Sequence, residues 1–320
     1  MSEDYNEFNP FKPMSPGPAV AILFGMLGIG LIIGGIAGIA VWFIMTGKGI
    51  GSIEKDMLNP QFANAARMMQ MVSVLFMFFF PAVIAARFMS RKPFQYLGYT
   101  EGFNSRQLIL AIAITLVCFP LSGALGELMH AIPIGKSATA YFTKLEDNYD
   151  NQVQALAIMR TPTEFIYSLI VMALFPAVFE ETLFRGGMQK LLIAWFKNPW
   201  VGIILTSLVF SAVHLSYFGF LSRFALGMML GLLFYYSKSI WLNMLAHFIN
   251  NAFAISFMYY QYLHGKPLKD VTEDTSSIWI GIPAIVVLVL LLKAFYNASL
   301  KRNINKIPPM DGPSLQSNLV

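Results

Sequence analysis

Three runs without a charged residue set the terms for this chain: Pro18 to Gly47, Met68 to Ala86 and Gln107 to Gly126. A helix rises 1.5 Å per residue, so about 20 apolar residues cross a hydrocarbon core about 30 Å thick. Each of these runs is long enough to span it. Composition agrees, with 12% charged and 56% hydrophobic residues, where a soluble domain carries roughly 25% charged. The mean hydropathy is +0.59.

Hydropathy predicts an all-α, polytopic membrane helix bundle with about eight transmembrane helices. They lie near residues 18–47, 64–89, 107–129, 163–187, 199–217, 222–237, 239–261 and 277–298. Residues 1–17 form a polar tail whose Glu3, Asp4 and Glu7 are unlike the basic start of a secretory signal. The loops holding Arg87, Arg91, Lys92 and Arg106, then Lys190 and Lys197, and the tail with Lys301, Arg302 and Lys306 are basic. The positive-inside rule makes them cytoplasmic, so both termini are expected in the cytoplasm and the protein in the plasma (inner) membrane. The loops at 130–162 and 262–276, with Glu146, Asp147, Asp150, Asp270, Glu273 and Asp274, read as the outer side. Tyr141, Phe142 and Tyr149 give the first of them an interfacial character.

Other features are structural. Gly30, Gly34 and Gly38 recur every four residues, a spacing that lets membrane helices approach closely. The single cysteine, Cys118, forms no intrachain disulfide and no cysteine-based zinc site. The net charge of +5 comes largely from the cytoplasmic loops and does not argue for nucleic acid. The tail at 307–320, with Pro308, Pro309, Gly312 and Pro313, is expected to be disordered.

Ionisable residues inside membrane helices are costly, about 2.5–3.5 kcal/mol each on insertion scales, and so point to function. Here they gather on three helices. Glu180, Glu181 and Arg185 follow the uncharged stretch from Phe165 to Phe179. His214 ends the fifth segment, and His247 with Asn251 lies on the seventh. Polar groups from three apolar helices are expected to meet around a wet cavity. On a helix Glu180 and Glu181 point about 100° apart, while Glu181 and Arg185, at i and i+4, share a face and can neutralise each other. Glu180 is left without a local partner and is available as a general base. His247 and Asn251 are also four apart and can aim at one point. Two histidines, a glutamate and an amide suffice to activate water and stabilise an oxyanion.

The ordered set Glu180-Glu181-Thr182-Leu183-Phe184-Arg185, Phe210 to His214 and His247 to Asn251 resembles the CAAX prenyl protease and bacteriocin-processing (CPBP) family of intramembrane peptidases. The resemblance covers about residues 165–255, with a weaker likeness at Pro93 to Gly98. It implies hydrolysis of a peptide bond in a membrane-associated substrate, prenylated or of bacteriocin type. Carried over, it makes Glu180 and His214 the groups that activate water and His247 and Asn251 the groups that hold the oxyanion, with Glu181 and Arg185 bracing the site. Hydropathy and the motifs together are expected to divide the chain into the 1–17 tail, helices 1–3 with the outer loop at 18–160, a catalytic core at 161–262, a loop and last helix at 263–306, and the 307–320 tail. No His-Glu-x-x-His zinc motif occurs, so no cofactor is firmly implied. Glu180, His214 and His247 with a water would still suit Zn2+, and the sequence favours metal-independent water activation without closing that alternative. The expected partners are the lipid bilayer and a peptide or protein substrate. Two other functions remain open: a catalytically silent immunity or peptide-binding protein, and a transporter relaying protons through Glu180, His214 and His247. The chain has no inverted repeat to favour the transporter.

Overall fold

A computed structural model describes residues 14–57, 59–156, 158–265 and 277–305. The first thirteen residues, the 307–320 tail, and Asp270, Glu273 and Asp274 lie outside the described residues. Among those described, no strand occurs.

Among the described residues, six helices are long and apolar enough to cross a membrane. They are α1 (Pro16–Thr46), α2 (Pro60–Met89), α4 (Ser105–Ala131), α6 (Pro162–Phe196), α8 (Phe220–Ser237) and the helix begun at Ile278, here α10 (Ile278–Asn305). Each falls on one of the eight segments read from the sequence, and the other two segments are helices as well. One, α7 (Pro199–Ala212), is short. The other, α9 (Ile240–Leu263), has 24 residues, enough to span, but Asn243, His247, Asn250 and Asn251 make it too polar to count by composition. A short helix and a polar one, on either side of α8, are what a membrane protein shows where its interior carries polar work.

The stretch at 130–162 is not the loop expected from its charges. Lys136 to Leu156 form α5, an amphipathic helix of 21 residues. Its charged residues defeat a hydropathy reading, which sees spans and not surface helices. Pro93–Leu97 adds a one-turn helix, α3.

Two membrane helices change pitch at matching places. In α2 a π turn covers Leu75–Phe79 just before Pro81, and in α6 another covers Leu169–Leu174 just before Pro176. Proline lacks an N–H and its ring crowds the carbonyl four residues back; the wider turn relieves that clash inside an otherwise continuous helix. A third wide turn, Thr182–Gln189, starts directly after Glu181.

Large apolar side chains face outward, among them Ile32, Ile36 and Ile44 of α1 and Trp279, Ile282 and Leu290 of α10, as in a protein solvated by lipid. The basic segments share one end of the bundle. Lys190 donates to the Tyr96 carbonyl, Ile240 N–H to the Gly98 carbonyl at 3.5 Å, and Arg302 to the Ser237 carbonyl at 3.2 Å. The core centres on Phe184, Met188, Phe210, Leu230 and Leu233 and reaches α1, α2, α4 and α10 through Leu23, Ala82, Ile114 and Phe295.

Candidate active site

The site is assembled on α6. Glu181 and Arg185 lie one turn apart with fully buried side chains, and Arg185 Nη1 donates to Glu181 Oε1 at 2.7 Å. Arg185 Nη2 donates to the Gly227 carbonyl of α8 at 3.1 Å, and one turn on Gln189 Nε2 donates to the Gly231 carbonyl at 2.9 Å. Glycine permits close approach at both places. A Cβ on Gly227 would stand 3.0 Å from the Ser207 Cβ of α7, and one on Gly231 2.8 Å from Ile203 Cγ2. α8 can therefore press against α7 and turn two backbone acceptors toward α6.

Glu181 is more than half of an ion pair. Its Oε1 also meets His247 Nδ1 of α9 at 2.8 Å, and Asn243 Nδ2 donates to its Oε2 at 3.4 Å. Asn243 precedes His247 by one turn, so α9 presents both to the same carboxylate. A carboxylate neutralised by arginine only accepts hydrogen bonds, so Nδ1 carries the imidazole proton. Nε2, the other ring nitrogen, lies 3.8 Å from Glu180 Oε2. That distance is too long for a direct hydrogen bond. Glu180 Oε2 is buried and has no hydrogen-bond partner among the described residues.

The second histidine stands apart from this pair. His214 is half-buried at the end of α7, with Nδ1 2.8 Å from the Phe210 carbonyl. A carbonyl also only accepts, so Nδ1 is again the protonated nitrogen and Nε2 the acceptor. Phe210 links the two histidines. Its ring centroid lies 5.2 Å from that of His214 and 5.8 Å from that of His247, and the Arg185 guanidinium rests over it at 4.7 Å. Asn250 Nδ2 donates to Asn251 Oδ1 at 3.3 Å, which leaves the Asn251 N–H groups available as donors.

Glu180, Glu181, Arg185 and His247 thus form one connected cluster, with His214 across the Phe210 ring and Asn251 one turn along α9. The sequence reading assigned only Arg185 to Glu181. It missed His247 and Asn243 as further partners of that carboxylate, although Asn243 at i−4 from His247 was the available signal. Among the described residues no three His, Cys, Asp or Glu side chains stand together so as to hold a metal ion.

α5 covers the end of the site nearest His214. Glu146 accepts from Ser216 Oγ at 2.7 Å and from the Phe218 N–H at 3.3 Å, and the Phe142 ring stacks on Tyr217 at 4.2 Å. The loop from α7 to α8 is thereby tied to an amphipathic helix.

No curated protein and no solved structure matches the chain. Residues 162–253, which hold α6 to α8 and α9 through Phe253, match the family model described as type II CAAX prenyl endopeptidase Rce1-like. The carboxylate pair, both histidines and the asparagine all fall within that segment, so the part of the chain that is similar to the type II CAAX prenyl endopeptidases is the part that holds the site.

Proposed function

We propose that this protein cleaves a peptide bond of a membrane-associated substrate, prenylated or of bacteriocin type, with Glu180 as general base and no metal ion. The observation that carries the reading is the two-sided environment of His247: Glu181 at Nδ1 and Glu180 3.8 Å from Nε2. Glu180 takes a proton from water as the water oxygen bonds to the scissile carbonyl carbon. Once bound substrate brings the two groups from 3.8 Å to hydrogen-bond distance, as catalytic contacts tighten on binding, His247 Nε2 accepts that proton from Glu180, and the imidazolium is stabilised by Glu181 with Arg185 behind it, the logic of an oriented base supported by a buried carboxylate. Asn251 and the new Nε2–H then face the oxyanion. His214, whose Nε2 accepts, helps hold the water. As the C–N bond breaks, the leaving amine takes the proton, giving a carboxylic acid and an amine. We place the basic end of the bundle in the cytoplasm of a plasma-membrane protein.

The test is cleavage of prenylated and unprenylated peptides by detergent-purified protein, comparing wild type with Glu180→Gln and His247→Gln, each with and without a zinc chelator. The reading expects cleavage by wild type that both substitutions abolish and the chelator leaves unchanged. Loss on chelation that zinc restores would overturn the metal-free mechanism. Equal cleavage by wild type and Glu180→Gln would overturn the role of Glu180, and no cleavage by any protein would leave a silent binding protein as the better account.

A further inference from the structure

Hydrolysis consumes water as well as a peptide, and the two ends of the bundle offer water unequal access. At the basic end the way to the site is packed shut. Leu97 of α3, Phe234 of α8 and Ile240 of α9 are buried there. A Cβ on Gly186 of α6 would stand 2.9 Å from the Leu97 carbonyl oxygen and 3.2 Å from Ile240 Cδ1. Backbone and aliphatic groups in such contact leave no room for a water between them.

The opposite end is built differently. α7 starts beside Lys197 at the basic end and has 14 residues. That is a length of about 21 Å, short of a hydrocarbon core about 30 Å thick. The stretch 213–219 that joins α7 to α8 is therefore sunk below the far surface, and His214 with it. Ionisable groups at that depth, Glu146, His214 and Arg223 among them, are costly unless water reaches them. α5 fills the depression. Its half-buried Phe142, Glu146 and Tyr149 share a face and meet Tyr217, Ser216 and Arg223. Lys144, Asp147, Asn148, Asn151 and Gln152 are exposed on its other side, a polar face that suits water and not lipid.

α5 is fastened at its C-terminal end by a buried charge and along its length by a lighter latch. Arg67 of α2 is fully buried. Its Nε donates to the Leu156 carbonyl at 2.8 Å and its Nη2 to the Ile158 carbonyl, a cation on the end of a helix where the dipole favours one. The latch is the Phe142 stack, the two hydrogen bonds accepted by Glu146, and the Tyr149 ring 4.8 Å from the Arg223 guanidinium. Contacts of this kind open locally at far less cost than the whole fold.

We infer that the hydrolytic water reaches His214 from the end opposite the basic segments, beneath α5, and that α5 is the hinged cover of this route, with Arg67 as its pivot and Glu146 as its latch. That the water is the hydrolytic one rests on the peptidase reading; the route itself is testable without catalysis. Cys118, the single cysteine, is buried, so the wild type gives an unlabelled background for a membrane-impermeant maleimide. Sealed vesicles of either orientation carry the full-length chain. Asn148→Cys on the exposed face of α5 and Lys197→Cys at the basic end report the two sides. The probes are His214→Cys and Leu215→Cys, the latter at a position 76% exposed. Both are expected to label in the vesicles that label Asn148→Cys and not in those that label Lys197→Cys, with His214→Cys the slower. Adding Glu146→Gln speeds His214→Cys about fivefold, as for one weakened hydrogen bond, and leaves Asn148→Cys as it was.

Labelling of either probe from the basic side overturns the route, and so does labelling of neither probe from either side. Leu215→Cys decides the side by itself if His214→Cys does not fold. A His214→Cys rate that ignores Glu146→Gln overturns α5 as the cover. Glu180-dependent cleavage together with labelling from the basic side would keep the peptidase reading and remove the route. Labelling from the α5 side without cleavage by any protein would do the reverse.

Discussion

Two helix seams in this protein solve the same problem by opposite means. Lipid offers no hydrophobic drive for helices to associate, so they depend on shape and on polar contacts. Where α1 meets α2, the solution is shape. Gly30 and Gly34 bring the helices so close that a Cβ on either would stand 2.6 Å from the carbonyl oxygen of Phe76 or Ser73, and Ser73 Oγ donates to the Gly34 carbonyl at 3.0 Å. Where α6 meets α8 and α9, the solution is charge. Glu181 and Arg185 are fully buried and tie α6 to Gly227, Asn243 and His247. The glycine seam is satisfied by its own backbone and has nothing left over. The charged seam keeps one histidine nitrogen and one carboxylate oxygen facing each other across 3.8 Å, and that residue of unmet chemistry is what a reaction needs.

The sharpest way to break this contrast is Glu180→Gln. If the charged seam exists for chemistry, peptide cleavage falls by at least about a thousandfold, within the range for loss of a general base. The thermal unfolding midpoint stays level or rises, because Glu180 Oε2 has no partner to lose. Rates on a prenylated peptide and unfolding in the same detergent decide it, and an active, destabilised variant would make this seam as structural as the glycine one.

Next in size are the bracing residues. Arg185→Met leaves Glu181 buried without its cation, and breaking one side of such a pair costs about 3–5 kcal/mol. The double change Glu181→Met, Arg185→Met removes both charges and is expected to recover most of the lost stability while cleavage stays lost, because His247 no longer has a carboxylate at Nδ1. A double variant as unstable as the single one would mean that the pair holds the helices together by its own attraction.

The glycine seam gives a smaller effect of the opposite kind. Gly34→Ala forces a shift against the Ser73 carbonyl and is expected to cost about 1–3 kcal/mol, as overpacking does. The kcat of the folded enzyme does not change. Gly35→Ala is the control, since a Cβ there meets nothing within 4 Å, and its unfolding midpoint should match wild type. A matching loss at both positions would remove the argument from close approach.

The sequence exposed these seams unequally, for a physical reason. A charge in an apolar run is expensive enough to stand out by itself, so Glu180, Glu181, Arg185 and His247 could be picked from their surroundings. Their neighbours could not. Gly227 and Gly231 contribute backbone carbonyls, which leave no mark in a side-chain pattern beyond their four-residue spacing. The wide turns before Pro81 and Pro176 follow from the prolines only once the helices are known to continue through them. Helix α5 was hidden because Lys136, Lys144, Glu146 and Asp147 make an amphipathic helix look like a loop when the search is for spans. Hydropathy placed all eight segments on helices, six of them long and apolar enough to span among the described residues; α9 has the length of a span but carries polar residues turned inward.

That hidden helix supplies the smallest effect. Glu146 of α5 accepts from the Ser216 hydroxyl and the Phe218 amide, and its carboxylate is the group that ties α5 to the loop beside His214. Glu146→Gln keeps the shape, but turns one acceptor into a donor that faces an N–H. The loss is expected to be about 1 kcal/mol, or about fivefold in the population of locally opened α5. Because the Phe142 stack on Tyr217 remains, the helix should loosen without detaching. Amide hydrogen exchange across 136–156 would speed up by that factor, while exchange in α6 and α9 and the global unfolding midpoint would not move, since local opening reports only the contacts broken by it. If exchange instead accelerates in α9 as well, α5 is part of the charged seam and not a cover over it, and the boundary between the two regions has to be drawn further out.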